Sequence, residues 1–311
     1  MEFQDFRLLL FSVIMSNHIG KKSWNRLTRK QKLKIINDRK NGRKTYNGIM
    51  ANKKNKTKNK VTTTTTTVTT VTTTTSTTAT KRVYDGYVVD RSGSMSSIWD
   101  ATIKGINEYL TKSKLDAEKL GLESFFSLLW FDHELVKQYD NTKLTDVPTI
   151  SGLEFPPRGS TALNDAVAKM INDLKAKLGK DAASDDVDVT ITIFTDGYEN
   201  ASQEFRGVGN RSLKALIEEV QNKLKWTVTY VGAGTQEQAL NTALQYGFFG
   251  SNVASYVPTA GGAAAVFATM ANARSVKSAL FSNNLKSNSG YFTTTKVDPD
   301  TTTTTTDTTT N

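Results

Sequence analysis

Asp90-Arg91-Ser92-Gly93-Ser94-Met95 stands at the point where an apolar stretch, residues 83–89, gives out. The run sets one carboxylate and two hydroxyls on alternate residues. Alternate side chains of an extended chain point to opposite sides, but a turn broken at Gly93 lets all three oxygens curl toward one point. A carboxylate with neutral hydroxyls is a hard-oxygen set, suited to Mg²⁺ or Mn²⁺ rather than to zinc or copper. The fold follows from whether more oxygens arrive from distant sequence.

Around this run the chain alternates strands with helices. Residues 83–89 read as a strand, and residues 98–110 as a helix in which Ile98, Ile103, Ile106 and Leu110 recur near 3.6. Residues 125–131 (FFSLLWF) are nearly continuous in apolar character, as in a strand buried on both faces. Residues 135–139 follow a tight turn at Asp132-His133 and read as an antiparallel edge strand. Residues 161–178 carry the apolar stripe Leu163, Val167, Met170, Ile171, Leu174 and Leu178, closed by Gly179. Strands at 187–194, 226–231 and 253–257 alternate with helices at 212–224, 236–246 and 263–281. Strand then helix, repeated, implies an α/β fold, a doubly wound and mostly parallel sheet with one antiparallel edge. Ligands of such sheets gather outside the carboxyl ends of the strands. Asp90 follows the first strand and Asp196 another.

Two further segments join the first at that edge. Thr161 lies in Gly159-Ser160-Thr161-Ala162-Leu163, at a loop-to-helix junction 67 residues beyond Ser94. Asp196 lies in Phe194-Thr195-Asp196-Gly197, 35 residues further on and at the end of a buried strand. The series DRSGSM, GSTALNDAV and IFTDGYEN, in this order on an alternating background, resembles the metal ion-dependent adhesion site motifs of a von Willebrand factor type A domain. The resemblance spans about residues 83–283. It implies a Rossmann-like fold in which Ser92, Ser94 and Thr161 supply hydroxyl ligands. Asp90 and Asp196 match the carboxylates, acting directly or through water. It further implies Mg²⁺, with Mn²⁺ or Ca²⁺ as alternatives, and a protein partner whose Asp or Glu completes the metal shell. Two carboxylates and three hydroxyls neutralise a dication incompletely, which keeps it attractive to an outside carboxylate.

Plainer readings stand beside these. Asp90, Ser92 and Ser94 could cap the following helix, and Asp196-Gly197 could be an ordinary turn. Asp165 reads as a first-turn helix acid or a group behind the ligands. Arg158 reads as a neutraliser of the site rim, a contact for an acidic partner, or a solvated loop charge. The loops around Trp99, Arg158 and Tyr198 are the candidates for choosing the partner. His133 reads as a turn histidine. Gly232-Ala233-Gly234 lacks the third glycine of a dinucleotide loop, and no GxxxxGK occurs. Ser94 has no histidine in the site loops to serve as its base, so the chain is expected not to be an enzyme; a hydrolase with metal-activated water is the rival.

Composition divides the rest. Residues 1–82 hold 19 Lys/Arg and three acids, a net +16; the chain's +10 leaves −6 for the remainder. The expected organisation is a basic, largely disordered arm at 1–60, a Thr-rich linker at 61–81, the domain at 82–292 and a Thr-rich tail at 293–311. Within the arm, Trp24, Leu27, Leu33, Ile35 and Ile36 could form one short basic helix. Residues 21–60 could bind nucleic acid or another polyanion by counterion release, the main alternative function. Service as an accessory subunit of an ATPase-type complex is another. There is no cysteine, hence no disulfide or thiolate metal site. The apolar run at 6–15 is broken by Arg7 and Ser12 and is too short to span a bilayer. It makes a poor secretion signal, and translation could equally begin at Met15. A cytoplasmic or virion-associated protein is therefore expected over a secreted one, and a membrane partner is not.

Overall fold

A computed structural model describes residues 80–292. The expected arm, the Thr tail and nearly all of the Thr linker lie outside the described residues. Six strands form one sheet: β1 (Arg82–Asp90), β2 (Glu123–Phe131), β3 (Leu135–Lys143), β4 (Val187–Thr195), β5 (Thr227–Ala233) and β6 (Val253–Tyr256). Their spatial order is β3-β2-β1-β4-β5-β6, parallel throughout except for the antiparallel β2–β3 pair at one edge. The expected doubly wound sheet with one antiparallel edge strand is thus what forms. The order reverses between β1 and β4, the switch point where a crevice opens at the strands' carboxyl ends.

Among the described residues five helices cover the sheet: α1 (Trp99–Leu120), α2 (Leu163–Leu178), α3 (Arg211–Asn222), α4 (Gln236–Gln245) and α5 (Ala260–Ser282). One core lies under α2, α3 and α4, where β4 contributes Val187, Val189, Ile191 and Ile193. The other lies under α1 and α5, against Val83, Tyr87 and Val89 of β1. Every residue of the α2 stripe read from the sequence is buried. α1 runs ten residues past the end its sequence suggested. Its second half buries Ser113 and Ala117 while Leu115 is 62% exposed, so the buried face there carries no apolar period. α2 begins at Leu163 and leaves Thr161 in the loop before it.

Candidate metal centre

β1 and β4 are adjacent and parallel, with Val89 opposite Phe194. Their last residues therefore bring Asp90 beside Thr195, and Asp196 one residue further out. Asp90 is fully buried. Its Oδ1 accepts the Ser92 backbone N–H at 2.6 Å, which is what folds the chain back after the strand. Its Oδ2 accepts Thr195 Oγ1 at 2.6 Å. The Ser92 and Ser94 hydroxyls lie 3.1 Å apart, and Ser94 Oγ donates to Asp196 Oδ1 at 2.7 Å.

Thr161 arrives on the loop before α2. Its N–H donates to Asn200 Oδ1 at 2.8 Å, and its carbonyl accepts the N–H groups of Asn200 and Ala201. Gly197 marks the meeting point. A Cβ added there would lie 3.2 Å from Thr161 Oγ1, 3.7 Å from Asp90 Oδ2 and 3.8 Å from Ser94 Oγ. All five oxygen-bearing residues singled out in the sequence thus gather around one small space that glycine leaves open. A shallow cleft of about 50 Å³ between Asp196, Tyr198 and α4 borders it. A larger groove, about 920 Å³, runs along the outer flank of α1, but the oxygen cluster does not line it.

The electrostatics favour a cation. Burial pushes the Asp90 carboxyl up to about 6, against hydrogen bonds from Thr195 and Ser92 that favour its anion. Burial also raises Asp196, with the Ser94 hydroxyl opposing. Among the described residues neither acid forms an ion pair, so ionisation leaves negative charge without a protein counter-ion. Among the same residues no three His, Asp or Glu side chains come together as a metal cage. A cation here would take hydroxyls as ligands, which suits Mg²⁺ or Mn²⁺. The donor set, the cradle at Gly197 and the unpaired acids fit such an ion.

Several residues behind the donors were not read from the sequence. Thr195 fixes Asp90 and also accepts Gly197 N–H at 3.1 Å. Asn200 holds Thr161, and Glu199 accepts the Asn164 N–H at 2.8 Å in the first turn of α2. Thr195 and Asn200 flank the recognised Asp196-Gly197, but which oxygen each would face depends on strand neighbours. Asp165 turns away from the cradle and accepts the N–H groups of Gln203, Glu204 and Phe205. Arg158 is about half exposed but not free, since it pairs with Asp132 and Glu134. Trp99 is buried against Trp130, with Nε1 donating to the Gly152 carbonyl at 3.2 Å, and so offers no contact surface. Tyr198, 67% exposed, does. His133 sits in the β2–β3 turn as expected.

Fold and site together define a doubly wound α/β domain with an oxygen-lined cradle at its switch point. Strand order, antiparallel edge and the meeting of the three motif loops agree with the von Willebrand factor type A resemblance, and the fold is of that type. No family profile matches the sequence, and no curated protein does. Among solved structures the chain is similar to proximal thread matrix protein 1 from the mussel byssus (12% identity, TM-score 0.43, 62% of this chain and 46% of that one). It is similar to the pilus adhesin SpaC from Lactobacillus rhamnosus GG (15% identity, TM-score 0.48, 64% and 31%). It is also similar to a von Willebrand factor type A protein from Catenulispora acidiphila (14% identity, TM-score 0.42, 65% and 43%). The chain spans less than half the length of each. With TM-scores below 0.5, none of these likenesses bears on this chain's function.

Proposed function

We propose that residues 82–292 form a divalent-cation-dependent protein-binding module that does no catalysis of its own. The observation that carries this reading is the meeting of Asp90, Ser92, Ser94, Thr161 and Asp196 around Gly197, with no basic side chain among the described residues bonded to either acid. Those five residues would hold Mg²⁺, directly or through water; Mn²⁺ and Ca²⁺ are the alternatives. Bound there, the ion supplies an electrophilic position that an outside carboxylate can fill. Asp90 provides fixed charge from a buried position, and the more exposed Ser94 and Asp196 open the site toward a partner. The partner is a protein presenting Asp or Glu, chosen in part by exposed Tyr198.

The test is a titration of the full chain with Mg²⁺ and Mn²⁺, followed by partner capture in Mg²⁺ and in chelator, on native protein and Asp90→Asn. Heat and metal-dependent capture by native protein alone support the reading; no heat with either ion sinks it. A phosphatase and ATPase screen serves the non-catalytic half, since turnover lost in Asp196→Ala would make the chain a hydrolase. The net +16 of residues 1–82 favours a second activity, polyanion binding through residues 21–60. Neutralising those lysines in the full chain should abolish salt-sensitive nucleic-acid binding and leave metal binding intact.

A further inference from the structure

We infer that Asp132 is a positioning residue for the cation cradle, acting through Arg91 and Arg158; this rests on the proposed cation reading. Asp132 opens the β2–β3 turn and is fully buried, yet among the described residues its side chain bonds to none of the five donors. Its carboxylate stands instead between the loops that carry them. Oδ2 accepts Arg158 Nε at 2.9 Å and lies 3.2 Å from Arg91 Nη2, while Oδ1 accepts the Glu134 N–H at 2.6 Å. Its carbonyl accepts the N–H of Ala162, next to Thr161, at 2.7 Å.

The backbone runs through the same point. Phe131 O accepts Arg91 N–H, Arg91 O accepts Arg158 N–H, and Gly159 O accepts Gly93 N–H. The Asp90–Ser94 loop and the Arg158–Thr161 loop are therefore laced to each other and both tied to Asp132. Gly159, at φ +66°, completes the approach, because a Cβ there would meet His133 Nδ1 at 2.2 Å. Arg91 is 4% exposed, and its Nε and Nη2 have no hydrogen-bond acceptor. Asp132 at 3.2 Å is therefore the nearer of two carboxylates that balance a buried guanidinium one residue from Asp90, the half-exposed Glu134 lying 3.9 Å away. Removing one partner of such a pair leaves the other uncompensated, and the loop carrying Asp90, Ser92 and Ser94 must then move to relieve it.

Arg158→Gln in the full chain separates positioning from charge. Arg158 is about half exposed, so its loss should spare folding. By Coulomb's law, removing a positive charge near the cradle strengthens cation binding. A loosened Thr161 loop weakens it. The expected result is a three- to tenfold loss of Mg²⁺ and Mn²⁺ affinity by calorimetry, with the unfolding midpoint in chelator nearly unchanged. Lys214→Gln, on the distant α3, should do nothing to affinity. Asp132→Asn should lose more than tenfold, and if it fails to fold, Arg158→Gln decides alone. Unchanged or tighter binding by Arg158→Gln overturns the inference while native binding stands. No binding by native protein would instead overturn the cation reading and this inference with it.

Discussion

Asp90 sets the terms at the scale of single residues. A buried carboxyl whose folded-state pKa is raised from 3.8 to about 6 binds its proton more tightly in the fold than in the unfolded chain. Its contribution is therefore most favourable at low pH and is lost as pH rises through about 6. The full loss corresponds to about 3 kcal/mol. In chelator at pH 7, Asp90→Asn should be more stable than native protein, with the difference vanishing near pH 4; denaturant unfolding across that range checks it. Mg²⁺ should reverse the ranking at pH 7, because it stabilises only the ionised carboxylate, and should lose this effect as pH falls below about 6. Gly197→Ala tests the space itself. Its methyl would stand 3.2 Å from Thr161 Oγ1, so cation binding should fall at least tenfold while thermal stability in chelator shifts little.

Elements fix the donors by how they end. α2 does more than start beside Thr161, since its first turn anchors the long loop after β4. Asp165 accepts three backbone N–H groups there, and Asn164 Nδ2 donates to the carbonyls of Phe205 and Gly207. Hydrogen bonds to a charged acceptor contribute about 1.5–3 kcal/mol each, and not additively. Asp165→Ala should destabilise by about 2–3 kcal/mol, and amide exchange at residues 203–205 should speed up ahead of the sheet. Uniform exchange acceleration across the domain would contradict this local role. The sequence reading of Asp165 as a first-turn acid located it on the right element. What it could not contain was the identity of the loop that the carboxylate holds, because residues 203–205 are 38 to 40 positions away and carry no complementary pattern.

Across the whole molecule, the face under α1 and α5 is unlike its opposite. Beneath α2, α3 and α4 the buried cluster is apolar, whereas α5 adds two buried ion pairs to the apolar contacts of Val266, Phe267, Met270 and Phe281. Arg274 Nε donates to Asp85 Oδ2 at 2.8 Å, and Lys277 pairs with Asp188, all four residues buried. Tyr87 and Tyr109 pack beside the first pair with ring centroids 4.8 Å apart. Arg274→Met alone strands a buried carboxylate and should cost about 3–5 kcal/mol, whereas Asp85→Leu with Arg274→Met should be close to neutral. Chemical denaturation of the two variants checks this; a double variant as unstable as Arg274→Met would show that the pair contributes more than mutual charge compensation.

Local pattern determined the elements of this protein and the nature of its donors. A period near 3.6 in α2, continuous apolar character in β2 and a polar turn before β3 each act within one segment, and neighbouring residues suffice to specify them. The hydroxyls and carboxylates of DRSGSM, GSTALNDAV and IFTDGYEN likewise carry their chemistry wherever they are placed. Tertiary structure decided everything that depends on which strands lie side by side. Only the β1–β4 pairing sets Thr195 against Asp90, and only the β1–β2 pairing, with Asp90 opposite Phe131, brings Asp132 beneath Arg91. The α1 extension, carried by Ser113 and Ala117, and the burial of Arg274 follow the same rule. Small or charged side chains have no preference for the interior of their own. They are buried when a partner remote in sequence offers a matching shape or charge, and that partner exists only once the sheet has formed.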